Sequence, residues 1–364
     1  MTTNDREALK AQFLARHGYA DARRQPLTGD ASTRAYERLH LAAGGTLIFM
    51  DQPPKAETAP CPPGATREER LALGFNAAYR LAAGRVDAFV ACARYLTSLG
   101  LSAPNILAFD AEAGLAVIED LGDGLYAREI EAGADEGELY DAAVDALTVL
   151  HAAKPPGRLV GEGVDWPLLS YDDLALTQAA DLFTDWLPKL RPQLSFDEDA
   201  LADWNIVWAP IRERAEKGAE VFCHRDYHAE NLIWLPDRQG AARVGLIDFQ
   251  DAVRAHRAWD FSMLLHDARR DVSPEIEKRA LDRYLAAHPN LDRARFLADY
   301  HALGALNVAR IIGIFARLVI RDGKPKYESM LPRLWRYLHA CLTDPALADL
   351  KRWLDKHVPM EARQ

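Results

Sequence analysis

The sequence is poor in the features that would mark most classes of protein other than a soluble globular one. Its 364 residues hold four cysteines, Cys61, Cys92, Cys223 and Cys341, far apart and with no C-x-x-C pair. That spacing argues against a disulfide framework or a cysteine-ligated zinc site, and it suits the reduced thiols of a cytoplasmic protein. Positive charge is in deficit. Lys and Arg number 44 against 54 Asp and Glu, for a formal net charge of −10, so no bulk field favours nucleic acid or an anionic membrane. Long apolar runs are missing too: Ile311–Ile320 is too short to span a bilayer and contains Arg317. The opening Met1-Thr-Thr-Asn-Asp-Arg-Glu has no apolar signal-peptide core, and neither internal repeats nor low-complexity tracts occur. What is there, 49% apolar and 27% charged residues, is the composition of a globular chain long enough for two lobes.

Hydrophobic periodicity organises that chain. Residues 5–17 place Leu9, Phe13 and Leu14 at helical spacing, and Arg34–Leu41 and Thr46–Met50 are strand-length pieces joined by Ala42-Ala43-Gly44-Gly45, which predicts a hairpin. Pro53, Pro54, Pro60, Pro62 and Pro63 make 51–67 a surface loop. A helix is expected over Val86–Leu99, stopped by Gly100 and Pro104, followed by strands at Asn105–Phe109 and Leu115–Glu119. After Gly124, amphipathic patterns cover 136–151, 172–190, 199–217, 274–287, 293–320 and 326–341, interrupted by one β-rich island, Val221–Phe249. The fold class is therefore α+β, with a small β-rich N-lobe over 1–120 and a larger helical C-lobe over 121–364.

The island carries the chemistry. It reads Val221-Phe-Cys-His-Arg-Asp-Tyr-His-Ala-Glu-Asn-Leu-Ile-Trp-Leu, turns at Pro236–Gly240, and returns through Arg243–Ile247 to Asp248-Phe-Gln-Asp. A hairpin of that size brings Asn231 beside Asp248, with Asp226 one loop away. Two carboxylates and an amide, all oxygen donors, suit a hard divalent cation such as Mg²⁺. The spacing H-x-D-x-x-x-x-N, followed by a strand that ends in I-D-F, matches the phosphoryl-transfer set in which an Asp receives the acceptor proton while an Asn and an Asp hold metal. His224 reads as a brace for this loop, and Asp260 in Ala258-Trp-Asp-Phe as a residue that orders the following turn.

On His224-Arg225-Asp226 with Asn231, Ile247-Asp248-Phe249 and Val117-Ile-Glu-Asp-Leu-Gly122, the chain resembles the aminoglycoside phosphotransferase and choline kinase branch of the protein-kinase-like fold over about residues 10–340. Gly29-Asp-Ala-Ser-Thr-Arg34, Met50-Asp-Gln-Pro-Pro54, Asp248-Phe-Gln-Asp-Ala252, and Gly313-Ile-Phe-Ala-Arg-Leu318 with Arg321-Asp-Gly-Lys324, are most similar to the bacterial N-acetylmuramate/N-acetylglucosamine anomeric kinases of cell-wall recycling. The resemblance implies a bilobal kinase-like fold, ATP and Mg²⁺ as cofactors, and adenine held by backbone groups at Glu119, Asp120 and Leu121. Only about ten residues separate Asp248 from the helix near Ala258, too few for a protein kinase's activation loop, so a small acceptor is expected.

One element departs from the kinase pattern. The third strand, Thr46-Leu-Ile-Phe-Met-Asp, has Met50 where a phosphate-binding lysine is expected. Arg34, directly after the phosphate-loop candidates Gly29, Ser32 and Thr33, is the first replacement, with Arg38 and Lys55 as alternatives. For the acceptor, His228 and Glu230 lie in the catalytic loop, Asp267 sits in the segment that also holds His266, Arg269 and Arg270, and Arg317 shares a helix side with Arg310 and Arg321. Two other readings share these residues: a kinase for an aminoglycoside-, homoserine- or choline-like acceptor, and a catalytically dead nucleotide-binding module. The arginine row points to a neutral or anionic sugar, and the complete Asp226, Asn231, Asp248 set argues against a dead site.

Overall fold

The computed structural model describes residues 3–27, 34–53, 59–82 and 85–363. In chain order these form α1 (Thr3–Arg16), β1 (Arg23–Leu27), β2 (Ala35–His40), β3 (Thr46–Asp51), α2 (Arg67–Leu73), α3 (Val86–Ser98), β4 (Ile106–Asp110), β5 (Leu115–Glu119) and α4 (Tyr126–Glu131). The chain continues through α5 (Glu136–Ala152), β6 (Arg158–Gly161), β7 (Val164–Pro167), α6 (Asp173–Leu190), α7 (Glu198–Lys217), β8 (Ala219–Cys223), β9 (Leu232–Trp234), β10 (Val244–Leu246) and β11 (Val253–His256). It ends in α8 (Ala258–Leu265), α9 (Pro274–Ala287), α10 (Arg293–Ile320), α11 (Leu331–Cys341) and α12 (Ala348–His357). Two compact units result: residues 1–129, 156–168 and 231–252 form the first, and 130–155, 169–230 and 253–364 the second.

In the first unit an antiparallel sheet of order β1-β2-β3-β5-β4 follows from alternation along its strands. Leu39, Phe49, Leu115 and Val117 point to one face and bury against Phe13 and Leu14 of α1. The rim of that apolar layer is ionic. Arg6 pairs with Asp51, and Lys10 lies 2.8 Å from Glu37, which also takes Arg24 at 2.5 Å. The opposite parity belongs to Tyr36 and Arg38 on β2 and to Ile48 and Met50 on β3, with Tyr36 opposite Met50 in the register. The expected β2–β3 hairpin is present, its Gly44 and Gly45 both at positive φ. Later in the chain, β9 and β10 pair antiparallel, and Phe249 just beyond them stacks on Phe89 of α3 with centroids 4.8 Å apart.

In the second unit the centre is α10, packed on α6, α8 and α11, while α5 packs on α9 and β8 pairs with β11. Among the described residues α10 alone is long and apolar enough to cross a membrane, but 72% of its most apolar stretch is buried inside the protein, as in a core helix. The helix is 28 residues long, over the 293–320 span expected from its pattern, and Asp292 caps its start by accepting from Arg295 N at 3.0 Å. The segment expected as one helix over 326–341 is a 3₁₀ turn, Pro325–Met330, followed by α11; Pro332, which lacks an N–H donor, falls in the first turn of α11, where that loss is tolerated. Gly313 lets α10 approach α6. A Cβ there would lie 2.2 Å from the backbone carbon and oxygen of Leu182. Gly313→Ala is therefore expected to destabilise the fold by about 3 kcal/mol, since backbone cannot yield as a side-chain tip can. An unfolding free energy from urea titration unchanged to within about 0.5 kcal/mol would contradict that packing.

Candidate active site

The loop His224–Glu230, in the second unit, hangs from one buried carboxylate. Asp260, at the start of α8, is fully buried, and its oxygens accept from His224 N at 2.8 Å, from Arg225 N at 2.8 Å and from Cys223 Sγ at 3.2 Å. Burial works against the charged form, yet the His151 and His224 side chains and the Arg225 N–H hold the Asp260 carboxyl below its ordinary value. Arg225 sits at φ 78, in the left-handed region, with its guanidinium over the Tyr171 ring at 4.5 Å. Tyr227 is buried and donates from its hydroxyl to Ala143 O at 2.8 Å. These ties fix the backbone on either side of Asp226, whose own side chain is partly exposed.

Further into the same unit, the segment after α8 brings charged groups to this loop. His228 is buried and Glu230 is exposed. Arg269 Nε lies 2.7 Å from Glu230 Oε2, and Arg269 Nη1 lies 3.5 Å from His228 Nε2. Asp267 is buried, Oδ1 accepting from Arg269 N at 2.9 Å while Oδ2 has no hydrogen-bond partner among the described residues. Burial pushes its carboxyl up from the ordinary value. On α10, Arg310 is buried beside Asn307 and the Trp259 ring, Arg317 is partly exposed seven residues on, and Arg321 pairs with Asp322 at 2.6 Å.

The first unit holds the other half of the motif. Leu232 pairs with Leu246, and Ile247 N donates to Asn231 O at 3.2 Å, so the hairpin places Asn231 next to the strand end that carries Asp248. Asp248 is at φ 62, again left-handed. Arg34, one residue ahead of β2, continues the parity of Tyr36 and Arg38 and so belongs to the sheet face that holds Met50. Its Nη2 lies 2.5 Å from Asp248 Oδ1, and its Nη1 donates to Gln250 Oε1 at 2.5 Å; Gln250 Nε2 in turn donates to Asp248 Oδ1 at 3.0 Å. Burial opposes the Arg34 charge, but Tyr36 and Asp248 hold it well protonated. Arg38 is engaged elsewhere, at 2.6 Å from Asp120 and 2.8 Å from Asp123. Glu119 pairs with Arg238 at 2.5 Å and accepts from Asn105 Nδ2 at 2.8 Å, and Leu121 is buried beside Gly245, where any Cβ would meet it at 3.1 Å. Gly29, Ser32, Thr33 and Lys55 lie outside the described residues.

Neither Gln250 nor Arg80, which pairs with Asp251 at 2.6 Å, has a role in the sequence reading. Gln250 had a signal, as a polar residue two positions past a metal-ligand candidate; Arg80 had none. Among the described residues no three His, Cys, Asp or Glu side chains form a ready metal cluster. The oxygen donors of Asn231 and Asp248 fit Mg²⁺, which binds through few protein ligands and completes its shell with phosphates and water.

The second unit thus carries a braced H-x-D loop, and the first unit carries a β-sheet and a hairpin that sets Asn231 beside the strand end of Asp248. The match to the phosphotransferase enzyme family runs over residues 23–297, and the chain belongs to that family. It is 66% identical over 362 residues to the N-acetylmuramate/N-acetylglucosamine kinase of Caulobacter vibrioides, covering 100% of this chain and 99% of that one. To the protein of the same name from Pseudomonas aeruginosa it is 30% identical, covering 89% and 86%. Solved structures with the same fold include a Plasmodium vivax ethanolamine kinase (TM-score 0.56, 14% identity, 90% of this chain and 84% of that one). A choline/ethanolamine kinase family protein from Mesorhizobium loti is similar (TM-score 0.56, 14% identity, 97% and 100%). The protein-kinase-like α+β fold implied by the sequence motifs is thus the fold of the chain.

Proposed function

We propose that this phosphotransferase moves the γ-phosphoryl group of ATP onto the anomeric hydroxyl of N-acetylmuramate and N-acetylglucosamine, as a cytoplasmic enzyme of cell-wall recycling. The observation that carries the acceptor is full-length identity of 66% to a kinase of that name. In this reading residues 1–120 bind nucleotide and 121–364 supply the catalytic loop, metal ligands and acceptor pocket. Asp226 orients the acceptor hydroxyl and takes its proton as the phosphoryl group leaves. Asn231 and Asp248 hold Mg²⁺, which when bound offsets the charge of the phosphate oxygens. Backbone groups at Glu119, Asp120 and Leu121 receive adenine, and the Gly29, Ser32, Thr33 segment with Arg34 receives phosphate. His228, Glu230, Asp267 and Arg317 face the sugar. ATP turnover across a panel of sugars, aminoglycosides and choline, with the product's linkage read by ³¹P NMR, tests this. The two N-acetylated sugars are expected to give anomeric phosphates. Turnover confined to any other acceptor overturns the proposal.

Arg34 carries its own prediction. Its guanidinium, buried against Asp248 and Gln250 on the Met50 face, supports it as the cation that stands in for the missing lysine. Arg34→Ala is expected to raise the apparent KM for ATP about tenfold and lower kcat, by loss of a charge-assisted contact to phosphate. Steady-state kinetics with both parameters unchanged would remove Arg34 from the site.

A further inference from the structure

Three charged residues follow one another after α8, and two of them are committed to the scaffold. Arg270 donates to Glu136 Oε1 at 2.6 Å and to the Tyr140 hydroxyl at 2.8 Å, both on α5. Asp271 takes Arg333 at 3.0 Å and Arg336 at 2.5 Å, both on α11. Between buried Asp267 and these anchors, Arg269 turns instead to the catalytic loop. Its backbone is held by Asp267 Oδ1, so the position of the side chain is set by a rigid turn.

The guanidinium is only partly used. Glu230 occupies the Nε side at 2.7 Å, and the Nη edge carries one long contact, 3.5 Å to His228 Nε2. Among the described residues Arg269 has no other hydrogen bond. Its side chain is 28% exposed and that of Glu230 46%, so the unfilled edge is open to a solute. His228 and Glu230 stand two and four positions after Asp226, so whatever reaches this edge lies near the reacting hydroxyl. The Nη edge, with one long contact at Nη1 and none at Nη2, keeps N–H groups that can match a carboxylate bidentately, and Glu230 on the Nε side need not leave.

The two sugars of the proposed function differ in one relevant group. N-acetylmuramate carries a lactyl ether carboxylate that N-acetylglucosamine lacks. We infer that the Nη edge of Arg269 binds the acceptor's lactyl carboxylate and sets the preference between the two sugars, an inference that rests on the proposed acceptor class. Arg269 is then a specificity residue that touches substrate away from the transferred group. Glu230 limits the gain, because its own carboxylate shares the same cation, and this keeps the uncharged sugar competitive.

The test compares kcat/KM for N-acetylmuramate, N-acetylglucosamine and the methyl ester of the lactyl carboxylate. With the unaltered enzyme the ester is expected to be about 30-fold poorer than the acid, the size of a lost charge-assisted pair. In Arg269→Gln the N-acetylmuramate to N-acetylglucosamine ratio should fall by about the same factor and the acid and ester should become alike. Arg269→Lys should recover part of the ratio. An ester as good as the acid in the unaltered enzyme overturns the inference even if the variants fail to fold, and so does a Gln variant that depresses both sugars equally. If the unaltered enzyme phosphorylates neither sugar, the proposed acceptor class falls and the inference with it; the first two outcomes leave that class standing.

Discussion

Asp226→Asn is expected to lower kcat by about a thousandfold or more while leaving the dissociation constant for ATP within about twofold of the unaltered enzyme. General-base assistance at a transferred phosphoryl is worth about 10²–10⁴ in rate, and the amide keeps the shape of the side chain but not its capacity to take a proton. The loop that carries Asp226 has ties of its own. Asp260 holds the N–H groups of His224 and Arg225, and the Tyr227 hydroxyl is tied to Ala143 O. Asp226 itself is partly exposed, and asparagine keeps its size and shape. The variant should therefore fold normally, which makes rate loss interpretable as chemistry. Isothermal titration with ATP and Mg²⁺, alongside single-turnover phosphorylation of the sugar, separates binding from the chemical step. A variant whose rate stays within about tenfold would remove Asp226 as the base, and one that loses ATP binding to the same degree would make it a nucleotide ligand.

The parts of this site that could be read from the sequence were those written in local order. Asn231 and Asp248 were legible because two short apolar strands around Pro236–Gly240 admit one antiparallel register, and Leu232 opposite Leu246 is that register. The helices α5, α6, α7, α9 and α10 were legible because their apolar residues recur at helical spacing over three or more turns. Short strands without a marked turn or a nearby partner were not. The β6–β7 hairpin and the β8–β11 pairing went unread, since Val253-Arg-Ala-His gives too short an alternation and its partner lies some thirty residues earlier. The same limit applies to side-chain partners. Asp260 was expected to order a turn, but nothing in Ala258-Trp-Asp-Phe says that its oxygens reach back to residues 223–225. The free Oδ2 of Asp267 and the half-used guanidinium of Arg269 are properties of burial and distance, and a sequence lists neither. Arg34 lies between these cases: position suggested it, and its contact with Asp248 depends on the parity of β2.

The largest loss of stability is expected at Asp260. Two main-chain N–H groups and a thiol point at its carboxylate in a site with no exposure at all, so Asp260→Ala leaves buried donors without acceptors. Such a loss costs about 3–5 kcal/mol, against about 1 kcal/mol for an ordinary exposed hydrogen bond. Asparagine should not rescue it. One amide oxygen can serve one N–H, and the amide nitrogen then faces the other donor, so about 3 kcal/mol of the loss should remain. The carboxyl's lowered pKa adds a pH signature. A carboxylate with a folded value below its unfolded one contributes stability above the unfolded value, and loses it as pH falls through the folded value. Urea unfolding of the unaltered protein should therefore weaken on acidification below about pH 4, while Asp260→Asn, already lacking that contribution, should show a shallower acid slope. Because residues 223–225 lead directly into Asp226, the residual folded Asn variant should also show a reduced kcat with KM for ATP little changed. Equal stability of the Asn variant and the unaltered protein at pH 7 would mean that the loop is held by its other ties alone.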